Sequence, residues 1–186
     1  STPSNSSAAS DVYKRQAVNF GIIYGQGPYG LSRQTGMSIS EARRFIQAYF
    51  ERYPGIRNFI DQCINKARQD GYVQTILGRR RKIEHINSRN NAARAQAERL
   101  AINTVIQGSA ADLIKKAMVN IYRRIRRENR PSQMLIQVHD ELVFEIPRQH
   151  VQQEAEMIRQ EMTAALPLSV PIRVDIAFGP NWLEAK

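Results

Sequence analysis

An α+β fold is the class this sequence predicts, and two observations predict it. Apolar residues recur at helical spacing through most of the chain from Ser38 to Ile125. The period then changes to two in QMLIQVHDELVFEI. Helices therefore come first and antiparallel strands afterwards.

Each element has its own justification. In NFGIIYGQGPYG, Phe20 and Tyr24 stand four residues apart, on one face of a helix. SISEARRFIQAYF opens with a capping box, Ser38 followed by Glu41, and sets Ala42, Phe45, Ile46, Tyr49 and Phe50 on one face. Pro54 starts the next helix, whose stripe is Ile56, Phe59, Ile60, Cys63, Ile64 and Ala67; Asp70-Gly71 stops it. YVQTILGRRRKIEHI alternates briefly, as a short strand or extended loop does. Two helices are predicted next: Asn91 to Gln107, ended by Gly108, and a second capped by Ser109 and Asp112, with Ile114, Ala117, Met118, Ile121 and Ile125 on its face. QMLIQVHDELVFEI is a β-hairpin with His139, Asp140 and Glu141 at its turn. Val151, Ala155, Ile158, Met162 and Leu166 mark an amphipathic helix, and VPIRVDIAF a last strand. No internal repeat and no second linker interrupts this order.

Composition narrows the function. The 186 residues are enough for a sizeable core, and 42% apolar with 24% charged content is ordinary for a globular chain. The charge is not ordinary: 27 Lys and Arg against 17 Asp and Glu leave +10, which favours a polyanionic partner, nucleic acid before membrane. A single cysteine, Cys63, excludes an internal disulfide framework and a cysteine-rich zinc site. No apolar run reaches the roughly 18 residues of a spanning helix, and the leader lacks the apolar core of a secretory signal. A reducing, cytoplasmic compartment follows as the expectation.

Chemistry concentrates in three places. VHDE puts two carboxylates and an imidazole side by side, flanked by apolar strands. Neighbouring carboxylates repel unless a cation or donors satisfy them, and Mg²⁺ takes one or two protein carboxylates plus substrate phosphates. Taken alone, the same residues are also common in ordinary turns. GRRRK (Gly78 to Lys82), with Arg79 and Arg80 inside it, is a compact cationic cluster, extended by Arg94, Arg99, Lys115 and Lys116. Such clusters serve either as solvated faces or as phosphate contacts, whose counterion release makes affinity steeply salt-dependent. The Phe20–Tyr24 pair fits core packing or a stacking platform for a nucleobase.

Five stretches, AVNFGIIYG, GRRR, AERLAINTVIQGSAADLIKKAM, QVHDELVFE and NWLEAK, occur in the order and at the spacing found in bacterial family A DNA polymerases. From Ala17 to Lys186 the chain resembles that family. The resemblance implies a helical fingers portion over residues 17–85 and a palm portion with the metal-binding hairpin over 86–186. It implies Asp140 as the palm aspartate that binds both Mg²⁺ ions, with Glu141 as a supporting catalytic carboxylate. It sets Phe20 against the nucleotide sugar and Tyr24 near the templating base. Gln107 and His139 become donors to minor-groove acceptors at the primer terminus, and Arg99 and Asn103 template-side contacts. The implied partners are primer–template DNA and deoxynucleoside triphosphates, with no membrane. The implied chemistry is two-metal nucleotidyl transfer by a monomeric bacterial protein of the cytoplasm and nucleoid.

Three positions depart from the family pattern. The other palm aspartate lies upstream of the fingers helix, where only Asp11 precedes Ala17, with the wrong neighbours. The nucleotide-binding Lys four residues before Phe20 is Gln16, and its Arg partner eight before is Val12. SSAASDVYKRQ matches the translation of a sequence resembling a transposase adapter, so residues 1–16 are expected to be a non-native leader and the chain a truncated piece, inactive by itself. Two other classes compete. One is a non-catalytic basic DNA-binding module. The other is an HD-type phosphohydrolase, which needs more His and Asp ligands than His85, His139 and His150 provide.

Overall fold

A computed structural model describes residues 18–185; the leader assigned to residues 1–16, with Gln16 and Val12, lies outside the described residues. The chain forms two compact units that divide between Ser109 and Ala110.

The first unit begins with α1, described over residues 18–23. Gly25 follows at φ 81, in the left-handed region, which turns the chain toward α2 (Pro28–Thr35). Helix α3 (Ile39–Arg52) opens with the expected capping box: Ser38 Oγ accepts from the Glu41 N–H, and the Ser38 N–H donates to Glu41 Oε2. The Ser38 hydroxyl also donates to Glu41 Oε2 at 2.7 Å, and this bond, with the one from the Ser38 N–H, holds the Glu41 carboxyl below its usual range. Of the predicted apolar face, Ala42 is fully buried and Ile46, Tyr49 and Phe50 half-buried, but Phe45 is exposed. Helix α4 (Pro54–Asp70) starts at Pro54 and ends at Gly71, φ 76, as its sequence requires. Strands β1 (Tyr72–Gln74) and β2 (Arg80–Lys82) then pair antiparallel, Val73 opposite Arg81.

Helix α5 (Asn91–Glu128) corrects the expectation of two helices, because 38 residues run without a break at Gly108. Gly ends a helix when it adopts the left-handed conformation, and Gly108 is absent from the glycines with positive φ. Its missing Cβ serves packing instead: a Cβ there would lie 2.5 Å from Thr75 Cγ2. Ser109 is not a cap either. Its hydroxyl donates to the Val105 carbonyl at 2.5 Å and accepts from the Ile76 N–H at 2.9 Å, tying the β1–β2 connection to the helix. Two apolar clusters complete this unit. One joins Ala67 and Val73 to Ile83, Ile86, Ala97 and Ala101; the other joins Ile60 and Cys63 to Ile102. Burial pushes the Cys63 thiol up, which suits packing and not nucleophilic chemistry.

The second unit contains the remainder of α5, the hairpin β3 (Gln133–Val138) and β4 (Glu141–Glu145), and α6 (Val151–Thr163). Ile121, Met157 and Ile158 form its core, covered by Met134, Leu142, Phe144 and Ile146. The register shifts between Met134 and Ile136, a bulge that bends β3. An ionic network fixes the approach to β3. Arg130 donates to Glu128 at 2.7 Å and to Glu154 at 2.8 Å, and Ser132 donates to Glu154 at 2.7 Å. Glu154 is only 1% exposed, and its two donors satisfy a charge that would otherwise be costly to bury. Hydrogen bonds from Arg127 and Arg130 bring the Glu128 pKa down to about 2. The predicted last strand over VPIRVDIAF does not form. Ile172, Val174 and Ile176 are half-buried between exposed neighbours, so period two survives as burial, but no strand among the described residues supplies a ladder.

Candidate functional site

The first unit brings the end of α1 onto the face of α5. Phe20 and Tyr24 stack with ring centroids 6.3 Å apart and planes 15° apart, and Phe20 is 56% exposed. A core pair would be covered; this one presents an aromatic surface. Gly25 makes the approach possible, since a Cβ there would lie 3.1 Å from Arg99 Cγ. Arg99, Asn103 and Gln107, each four residues from the next, line one face of α5. Gln107 Nε2 donates to Tyr24 Oη at 2.6 Å, across 83 residues of sequence. Asn103 Oδ1 is buried without a hydrogen-bond partner. Beside them an open groove of about 570 Å³ is lined by Gly21, Tyr24, Gln26, Tyr29 and Arg99.

The basic hairpin adjoins the same helix. Arg79 Nη2 donates to the Gly108 carbonyl at 3.1 Å, and the Arg80 guanidinium lies 4.8 Å over the Tyr72 ring. Arg81, the middle residue of GRRRK and not singled out from the sequence, donates to Thr104 Oγ1 at 3.4 Å. These anchors hold exposed guanidiniums in fixed positions, and a guanidinium so fixed loses less freedom when it binds any anion. Arg94 differs. It donates to the Ser88 carbonyl at 3.1 Å and to Asn91 Oδ1 at 2.7 Å, so it also fastens the loop before α5.

In the second unit the β3–β4 turn carries the carboxylates. Val138 pairs with Glu141, leaving a two-residue turn of His139 and Asp140, so Glu141 opens β4 instead of standing in the turn. His139 adopts φ 53, a region that His enters more readily than most residues, and its carbonyl accepts from Gln137 Nε2. His139, Asp140 and Glu141 are all exposed. Neither carboxylate has a hydrogen bond or ion pair among the described residues, whereas the Leu142 and Phe144 side chains behind them pack on the core. The donor chemistry fits a hard cation that completes its shell with phosphate oxygens and water. The turn supplies only part of a site: among the described residues no group of three His, Cys, Asp or Glu side chains could hold a metal ion.

Sequence reading thus located the aromatic pair, the face of α5 and the acidic turn. It missed the Tyr24–Gln107 bond and the Arg81–Thr104 contact, because no local pattern reports a pairing across so much chain.

The family profile of DNA polymerase family A matches residues 4–184. DNA polymerase I of Geobacillus stearothermophilus is 45% identical over 171 residues, 92% of this chain and 20% of that protein. DNA polymerase I of Streptococcus pneumoniae serotype 4 is 45% identical over 178 residues, 96% of this chain and 20% of that protein. The POL domain of Pol1 from M. smegmatis, solved in complex with DNA primer-template and dNTP, is similar with a TM-score of 0.89 at 40% identity, covering 93% of this chain and 30% of that one. The chain therefore spans about 20% of the length of the curated relatives it matches. A profile matched over almost the whole sequence, with identity at this level, places the chain in one family: it belongs to DNA polymerase family A.

Proposed function

We propose that this chain is the C-terminal fingers-and-palm part of a DNA-directed DNA polymerase, with residues 17–85 as fingers and 86–186 as palm. This functional division precedes α5, whereas compactness divides the chain within it. The observation that carries the reading is the stacked, exposed Phe20–Tyr24 pair set over the Arg99–Asn103–Gln107 face of α5 in a family A chain. Primer–template and dNTP in the similar M. smegmatis structure support the same partners here.

On this reading Phe20 packs against the sugar of the incoming nucleotide and Tyr24 lies near the templating base. Arg99 and Asn103 contact the template. Gln107 and His139 donate to minor-groove acceptors, which every correctly shaped pair presents in similar places, so they check shape and not sequence. Arg79, Arg80 and Arg94 meet backbone phosphates. Asp140 holds Mg²⁺, and Glu141 supports it with a second exposed carboxylate. When bound, the ions would supply activation of the primer 3′-hydroxyl and charge neutralisation at the leaving pyrophosphate. The protein acts as a monomer in the bacterial cytoplasm.

Primer extension tests the reading. The 186-residue chain is expected to bind primer–template in a salt-sensitive way without extending it, and a protein completed to the length of its relatives to extend it with Mg²⁺. No extension by the completed protein, or robust extension by the bare chain, would show that the site is misassigned. Salt-sensitive binding with no extension even after completion would favour the second reading, a non-catalytic basic DNA-binding module, which the +10 charge supports.

A further inference from the structure

We infer that Tyr24 is a positioning residue for Gln107: its hydroxyl fixes the carboxamide so that one chosen N–H faces the primer–template minor groove. The inference rests on the proposed reading of Gln107 as a DNA contact and adds the residue that aims it. Gln107 is exposed on α5, and an exposed Gln side chain samples many rotamers and both amide orientations. Here Nε2 donates to Tyr24 Oη at 2.6 Å, a short bond for a neutral pair.

An amide nitrogen has two hydrogens. Directing one at Tyr24 holds Nε2 at the phenol oxygen and leaves the second N–H free to donate elsewhere. Tyr24 is itself held. Its ring stacks on Phe20, its N–H donates to the Phe20 carbonyl at 2.9 Å, and the following Gly25 sits against Arg99. The hydroxyl is therefore a fixed point and not a second mobile group. A donor whose rotamer is already chosen loses less freedom on binding, and the gain appears as affinity. The same hydroxyl thereby joins the nucleotide-facing helix to the face of α5 that reads the terminus.

Tyr24→Phe removes the hydroxyl and keeps the ring stack. Binding of the 186-residue chain to primer–template is measured by fluorescence anisotropy for the wild type, Tyr24→Phe, Gln107→Ala and the double variant. The same four proteins are measured on a primer whose terminal purine is a 3-deaza base, which lacks the minor-groove acceptor. Expected is a three- to ten-fold weaker Kd for Tyr24→Phe, the loss that follows from one hydrogen bond. That loss should vanish in the Gln107→Ala background and on the 3-deaza terminus. Equal losses with and without Gln107 would overturn the inference, because the hydroxyl would then act on packing alone. Tighter binding by Tyr24→Phe would also overturn it, since the hydroxyl would be withholding Gln107. Failure of the wild-type chain to bind any primer–template would instead remove the underlying DNA-contact reading, and the inference with it.

Discussion

The two hairpins use the same element for opposite electrostatic ends. β1–β2 carries guanidiniums that are anchored within the protein, Arg79 on the Gly108 carbonyl, Arg80 on the Tyr72 ring and Arg81 on Thr104. β3–β4 carries carboxylates with no partner among the described residues. The difference follows from what each is suited to meet. A diffuse, polymeric anion is held best by several forks of fixed direction. A small hard cation needs oxygen atoms that are not already neutralised by neighbours. On the proposed reading of Asp140 as a Mg²⁺ ligand, anchoring it to an arginine would improve local electrostatics and spoil it for that role.

The sharpest way to break this comparison is to neutralise the acidic tip. In a polymerase completed to the length of its relatives, Asp140→Asn is expected to lower Mg²⁺-dependent turnover by about 10²-fold or more, the scale of one lost transition-state stabiliser. Primer–template affinity should stay nearly unchanged, because the lost charge is needed in the transition state and not for holding the duplex. Single-turnover extension and anisotropy on the same preparation separate the two. Full activity of Asp140→Asn would end the assignment of opposite roles.

The anchor of the basic hairpin can be broken next. Gly108→Ala removes a glycine from a helix interior, which alone stabilises by about 1 kcal/mol. Its Cβ would meet Thr75 Cγ2 at 2.5 Å, and overpacking of a buried contact costs about 1–3 kcal/mol. Net destabilisation in urea melts is expected, with Thr75→Ser, which deletes the clashing methyl, restoring most of it. A stabilised Gly108→Ala would mean that the close approach is not what keeps glycine there.

Gly108 also shows where sequence stopped being legible. Ser38 with Glu41, and Pro54 with Gly71, announce helix ends through local chemistry, and the structure honours both. Gly108 carries the same local signal with a different cause, a neighbour 33 positions upstream that needs its space. VPIRVDIAF fails for a related reason: alternation records which side chains are buried, but a strand also needs a partner edge. In the candidate site, spacing and residue type singled out the Phe20–Tyr24 pair and the acidic turn, while the roles proposed for Phe20, Tyr24, Arg99 and Asp140 came from the family resemblance. The Tyr24–Gln107 bond was not legible, since its two halves look unremarkable apart.

Charge removal on the first hairpin gives a smaller effect. Arg80→Ala should flatten the slope of log K against log salt by about 0.9, the share of one phosphate contact, with little change in stability. An unchanged slope would place Arg80 outside the DNA path. The base of the second hairpin titrates instead. Arg127 and Arg130 hold the Glu128 pKa near 2, below its ordinary value of 4.5. A depressed carboxyl pKa means stability present above about pH 4.5 and lost as pH falls toward 2. Glu128→Gln should therefore lower stability at neutral pH slightly and flatten the acid-unfolding profile between about pH 4.5 and 2. The effect should shrink in high salt, because the site is open to solvent.

The smallest expected stability change is also the most discriminating. His139 sits at φ 53, where a side chain costs roughly 1–2 kcal/mol relative to the right-handed region. His139→Gly removes that cost but gives the unfolded chain more freedom, which costs roughly 0.5–1 kcal/mol. The two nearly cancel, so the melting midpoint should move by the equivalent of less than about 1 kcal/mol in either direction. The β3–β4 register depends on the Leu142 and Phe144 packing and should persist, leaving Asp140 at the tip. Only the imidazole is then missing. If His139 contacts the primer terminus as proposed, extension by the completed polymerase should slow several-fold on a natural terminus and not further on a 3-deazapurine terminus. Equal slowing on both would assign His139 to the turn alone, and the acidic hairpin would then act through its carboxylates without reading the DNA.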